Sequence, residues 1–158
     1  MVVPAKVAHL LEHATVAIAG TRDADLVPHV HRVSGWRLSP DRKSVECFFA
    51  EAFSRHLLSS LEDNGEISVT FCEVPSHETY QLKGKFVSSR SVDGDDLRVY
   101  EDYRARGVER ICELLGFTER AVRAYVPEPN LVVRFEVRDI FDQSPGPDAG
   151  GRLDEEAG

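Results

Sequence analysis

Apolar residues recur along this chain with two different periods, and each change of period marks a new element. After Pro4, Val7, Leu10 and Leu11 fall at helical spacing and predict a short helix to about His13. Residues 15–20 form a compact apolar strand, 21–25 a polar turn and 26–38 a second strand, which together read as a hairpin. Pro28 has no amide to donate, so it belongs near the start of its strand or at a sheet edge. A Ser-Pro-Asp turn at 39–43 leads into a third strand, 45–50. Residues 53–61 return to helical spacing, with Leu57, Leu58 and Leu61 on one side and Asn64-Gly65 as the stop. The alternation is clearest over 66–73, where Ile67, Val69 and Phe71 share one face and Ser68 and Thr70 the other.

Past a break at Pro75-Ser76, residues 78–88 form a strand with Tyr80, Leu82 and Phe86 on one face and Thr79, Gln81, Lys83 and Lys85 on the other. Asp93 is placed to cap a long helix over 94–115, which carries Leu97, Tyr100, Val108, Ile111 and Leu115 at spacings of three to four. Thr118 caps one more short helix, with Phe117 and Val122 placed for a hydrophobic staple. Pro127 and Pro129 close it, and 131–137 is the last strand. The Gly- and Pro-rich, acidic sequence beyond Gln143 is expected to be a mobile tail. Short connections favour antiparallel pairing, so the expectation is a mainly β fold: a six-stranded antiparallel barrel with helices, in one domain over 1–143. A helical insertion falls at about 93–126, a flexible acidic tail at 144–158, and no internal repeat is visible.

Charge narrows the class. Among 158 residues, 27 are acidic and 19 basic, for a net −8, and a general nucleic-acid binder needs the opposite surface. Asp148, Asp154, Glu155 and Glu156 against Arg152 place −3 of this in the tail and leave −5 elsewhere. A local arginine can still hold a small anion against that field. No run of 18 apolar residues exists and the first residues do not read as a secretory signal, so neither a membrane span nor export is expected. Cys47, Cys72 and Cys112 are odd in number, widely spaced and each next to an apolar residue. They read as reduced, mostly buried thiols of a cytoplasmic protein rather than zinc ligands.

One segment stands out chemically. At 48–57 a buried strand ends in a short loop and Ser54-Arg55-His56 opens a helix, gathering a hydroxyl, a guanidinium and an imidazole where free backbone donors favour an anion. The plainer alternative is that Ser54 caps the helix and Arg55 is a solvated charge. His29 and His31, two apart on one strand, share a face, but no third ligand accompanies them, so they read as solvated or interface histidines and no metal is expected. His77 and Glu78 read as an exposed turn, Trp36 as a core or dimer-interface anchor, and Tyr100 and Tyr103 as packing against the barrel. Arg98, Arg104 and Arg106 read as a solvated helix face. There is no Ser-His-Asp order, phosphate-cradling glycine loop or paired-carboxylate motif, and no catalytic residue is assigned.

Taken in order, Val16-Ala17-Ile18-Ala19, His31-Arg32-Val33, Phe48-Phe49-Ala50, Ser54-Arg55-His56, Asn64-Gly65, Ile67-Ser68-Val69-Thr70-Phe71 and 80–86 resemble the pyridoxamine 5′-phosphate oxidase-like, FMN-binding split-barrel superfamily. Residues 141–147 match more loosely. The resemblance implies FMN, with Arg55 and His56 facing its phosphate and Ser54 nearby. Phe49 and Ala50 would line the cofactor, Arg32 and Val33 would run along the ring edge, and Gln81 or Thr79 would meet the polar edge of the isoalloxazine. The family usually has Lys where His56 stands, which shifts phosphate affinity onto Arg55. Deazaflavin and haem are the competing cofactors. The resemblance also implies a homodimer, formed by the apolar faces of the second and third strands, and a flavin-dependent oxidoreductase, with a nicotinamide nucleotide as a candidate substrate. The alternatives are a non-enzymatic flavin- or haem-binding carrier, sensor or stress protein, or a structural dimer without a cofactor.

Overall fold

Helix α1 (Ala5–His13) begins behind Pro4 and buries Val7, Leu10 and Leu11 while its other face stays in solvent. The computed structural model describes residues 1–14 and 16–153, so Thr15, expected to open the first strand, and Asp154, Glu155 and Glu156 of the tail lie outside the described residues. Strands β1 (Val16–Arg22), β2 (Pro28–Arg32), β3 (Gly35–Leu38) and β4 (Ser44–Phe49) follow. A 3-10 turn (Glu51–Phe53) leads to α2 (Leu57–Asn64), then β5 (Glu66–Cys72) and β6 (Thr79–Ser91). Helices α3 (Gly94–Leu115) and α4 (Glu119–Tyr125) precede β7 (Leu131–Asp142) and β8 (Arg152–Leu153).

All pairings are antiparallel, in the order β2-β1-β5-β6-β7-β4-β3, with β8 added on β7. The fold class is the mainly β one expected, but eight strands are present among the described residues where six were expected. Two changes account for the difference. The expected strand 26–38 divides at Val33-Ser34, because β2 pairs with β1 whereas β3 pairs with β4. These are opposite ends of the strand order, so consecutive strands in the chain are the two edges of the sheet. Residues 144–153, read as the start of a mobile tail, instead turn back: Gly150 N–H donates to the Asp142 carbonyl at 2.6 Å, and Leu153 registers against Ile140. Strand β7 runs on to Asp142, past the expected stop at 137, because β6 and β8 pair its final residues. Pro28 starts β2, an edge strand, where its missing donor costs no ladder bond.

The inner face of the curled sheet supplies the core, including Ala17, Ala19, Val69, Phe71, Leu82, Phe135 and Ile140, and α2 adds Leu57 and Leu61. Trp36 lies in this core: its Nε1–H donates to the Leu11 carbonyl at 2.8 Å, and its ring meets Tyr103 of α3 at 4.5 Å between centroids. The N-terminus of α3 is fixed by a capping box between Asp93 and Asp96. Asp96 is fully buried, where Arg90 and, at 3.2 Å, Arg37 pair with its carboxylate. The Arg90 hydrogen bond holds that carboxyl below the usual range against the effect of burial. Thr118 caps α4 as expected, accepting from the Ala121 amide, but Phe117 stays exposed while Val122 is buried. Cys47 is buried, and Cys72 and Cys112 are half-buried; all three are free thiols. No helix among the described residues is long and apolar enough to cross a membrane.

Gly84 sits where the β6–β7 register shifts, and a Cβ there would lie 2.0 Å from the Glu136 carbonyl oxygen. Gly84→Ala is therefore expected to destabilise the protein by at least about 2 kcal/mol through overpacking against backbone. Gly107 of α3 has open space around the same position, so Gly107→Ala is expected to stabilise by about 0.5–1 kcal/mol. Urea unfolding of the two variants checks the opposite signs.

Candidate functional site

The site forms where the chain leaving β4 passes the edge strand β2. Beyond Phe49, the Ala50 and Glu51 carbonyls accept from the Phe53 and Ser54 amides, each at 2.9 Å, making a single 3-10 turn. Asn130, just before β7, clamps this turn: its Oδ1 accepts from Glu51 N–H at 2.8 Å, and its backbone N–H donates to the Phe49 carbonyl at 3.0 Å. Helix α2 begins only at Leu57, so Arg55 and His56 occupy the approach to the helix rather than its first turn. Leu57 and Leu61 bind α2 into the core, and Gly65, with φ +68°, ends it. Asn64 supplies more than the expected stop, since its Nδ2 donates to the Arg22 carbonyl at 2.7 Å and fixes α2 against β1.

A cavity of about 260 Å³ opens between these segments, lined by His29, Val30, His31, Ala52, Phe53, Arg55 and His56. The His29 and His56 rings stack with centroids 4.4 Å apart and planes 19° from parallel. His29 Nε2 lies 3.1 Å from Asp23 Oδ2. That carboxyl is held below its ordinary value by the Val27 amide first and by His29 next. His31 is only 3% exposed, because its register partner on β1 is Ala19, which faces the core. The solvated or interface position expected for it does not hold. Its Nε2 shares a hydrogen bond with Thr21 Oγ1 at 3.0 Å, while its buried Nδ1 has no hydrogen-bond partner among the described residues. Burial, and then the neighbouring His29 and His56, pushes its pKa down to about 4. The imidazole is therefore neutral at neutral pH.

The residues expected at the site fall into three groups. Arg55 and His56 line the cavity, and Arg55 makes no ion pair or hydrogen bond among the described residues. Ser54, next to them, is buried with its Oγ unpartnered, so it does not cap α2. Val33 and Phe49 are fully buried in the core, and Ala50 is nearly so. The third group lies on the other side of the sheet. Register places Arg32, Ile18, Thr70, Gln81 and Phe141 in one cross-strand row on the face opposite His31. Gln81 Nε2 donates to Thr70 Oγ1 at 3.3 Å there, and Thr79 shares the face but spends its hydroxyl on the His77 carbonyl. Strand β6 is three strand spacings from β2, about 14 Å. Within one chain, Gln81 and Arg55 thus serve different surfaces. His29 and His31 are the site residues that spacing alone undervalued: their shared face was legible, but not that it adjoins His56.

No protein-family model matches the chain, and no curated protein does. Solved structures do match. HupZ of Group A Streptococcus has a TM-score of 0.57 at 18% identity over 94% of this chain and 99% of that one. An F420 reductase has a TM-score of 0.55 at 12% identity over 87% and 98%. A pyridoxamine 5′-phosphate oxidase-related, FMN-binding protein from Nostoc punctiforme PCC 73102 has a TM-score of 0.50 at 13% identity over 90% and 84%. The chain has the fold of the split-barrel superfamily that its sequence motifs resemble.

The depressed His31 pKa carries a pH signature. Between the ordinary histidine value of about 6.5 and about 4, the unfolded chain binds a proton that the folded chain refuses, so stability falls as pH falls through this window. The loss expected is about 3 kcal/mol. Urea titrations from pH 7 to 4 should show this slope in the parent protein and a shallower one in His31→Asn; equal slopes would contradict it.

Proposed function

We propose that this split-barrel chain binds FMN at the His29–His56 cavity and works as a homodimeric flavin-dependent oxidoreductase. The observation that carries the reading is the uncommitted Arg55 guanidinium at the cavity, beside the neutral His31 whose buried Nδ1 lacks a partner. A guanidinium fork matches phosphate oxygens, and a neutral imidazole adds one directed hydrogen bond without a charge to desolvate. With the Thr21 hydroxyl donating to His31 Nε2, Nδ1 carries the proton and faces an anionic oxygen as donor. The Nostoc protein of the same fold is FMN-binding by name, which supports the choice of group.

The bound flavin supplies hydride acceptance and donation, with a nicotinamide nucleotide as a suitable donor. The chain's own residues bind and shield. Arg55 and His56 hold the phosphate, and Phe53 and Val30 screen the cavity. At 71% and 73% exposed, these two apolar side chains need cover, and neighbouring Leu26 and Val27 are also exposed. A second copy supplies that cover and brings the Thr79 and Gln81 face, which one chain keeps away from Arg55, towards the polar edge of the ring. The three free thiols suit a reducing compartment such as the cytoplasm. Two observations favour a second reading, a non-enzymatic carrier or another redox group in the same cavity. The F420 reductase likeness points to a deazaflavin, and the imidazoles of His29, His31 and His56 offer ligands to haem.

The test is spectroscopic. Purified dimer is expected to be yellow or to take up one FMN per chain, and Arg55→Ala should weaken FMN binding by about 10–100-fold, the loss of a charge-assisted contact. His56→Lys should tighten it. A haem Soret band or binding of the deazaflavin alone would favour the second reading. A colourless protein that binds no FMN, or unchanged affinity in Arg55→Ala, would contradict the first.

A further inference from the structure

We propose that the solvent face of α1 carries a binding site for one divalent transition-metal ion, with His9, Glu12 and His13 as its ligands. These ligands share no residue with the His29–His56 cavity. Spacings of three and four residues place the three side chains one turn apart on the helix face opposite Val7, Leu10 and Leu11. One donor atom from each lies within 4.8 Å of the other two. Metal–nitrogen and metal–oxygen bonds of about 2.0–2.2 Å draw such a set together with small side-chain rotations.

Several features prepare these groups as ligands. His13 Nδ1 lies 2.9 Å from the His9 carbonyl oxygen, which can only accept, so the ring proton is on Nδ1 and Nε2 keeps its lone pair. The His9 and His13 rings are already close, with centroids 4.4 Å apart. The Glu12 carboxylate makes no ion pair or hydrogen bond among the described residues. Arg106 approaches this residue but donates to the backbone carbonyl at 3.2 Å, leaving the carboxylate uncommitted. Together with the Trp36 bond to the Leu11 carbonyl, that contact holds the last turn of α1 against the fold, so the ligands stand on a braced helix.

Two imidazoles and one carboxylate select borderline ions such as Zn²⁺, Co²⁺ or Ni²⁺ over Mg²⁺ and Ca²⁺, which require oxygen ligands. Three ligands from one helix leave a coordination position for water or an added anion. The net charge of −8 favours approach of a cation.

The probe is Zn²⁺ alone, titrated into metal-stripped, untagged full-length protein against a chromogenic chelator. One Zn²⁺ per chain is expected, not displaced by excess Mg²⁺ or Ca²⁺. His9→Ala and His13→Ala should each weaken it by more than about tenfold, since loss of an outer-shell partner alone costs about 10–100-fold. Glu12→Gln should weaken it less. Circular dichroism checks that the variants keep their fold, and the more conservative His9→Gln and His13→Gln repeat the test if they do not. The absence of Zn²⁺ binding, or unchanged affinity in the His9 and His13 variants, would overturn the proposal. So would loss of binding in His29→Ala instead, which would place the ion at the cavity.

Discussion

Two successive backbone amides close this barrel. Val33 N–H donates to the Ala17 carbonyl of β1 at 3.2 Å, and Ser34 N–H donates to the Phe48 carbonyl of β4 at 2.8 Å. One peptide unit therefore joins the two edges of a sheet whose order starts at β2 and ends at β3. Both residues are fully buried, so each amide needs a partner and neither has water as an alternative. The seam leaves no pair of free edges at that end of the sheet. It also decides where chemistry can occur. Because β2 and β4 meet across it, the chain leaving Phe49 runs beside His29 and His31, and residues distant in sequence share a cavity.

The arginines at the cavity and at α3 are used differently. Arg37 and Arg90 are spent on Asp96 and Glu46, where they anchor α3. Arg55 has no such commitment among the described residues, and the imidazoles around it do not offset its charge with a carboxylate inside the cavity. Asp23, the acid that meets His29, is engaged by the Val27 amide and by His29. An acidic protein thus keeps a local cationic pocket, and burial keeps its deepest imidazole neutral.

The elements that were legible in the sequence are those in which local signals and tertiary demands agree. Alternation over 66–73 gave β5, Asp93 marked the capped start of α3, and Asn64-Gly65 marked the end of α2. Residues 26–38 show what local pattern omits. They do form extended chain throughout much of their length, but periodicity carries no information on which neighbour each half will pair with. Ser54 failed as a cap for a related reason: a 3-10 turn held by Asn130, 79 residues from Glu51, delays the helix to Leu57. Arg55 and His56 were found because their types and order are chemically unusual. His31 was undervalued because its depth depends on pairing with Ala19, and alternation alone could not show that Gln81 lies three strands from β2 in the row opposite His31.

The cavity between β2 and the approach to α2 is proposed as the anion-binding end of a cofactor site. Amide and imidazole chemical shifts, followed by NMR while FMN is added to the full-length protein, test it most directly. The largest changes are expected on residues 52–58 and on the His29, His31 and His56 rings. Changes confined to α3 and α4, or no changes at all, would contradict it.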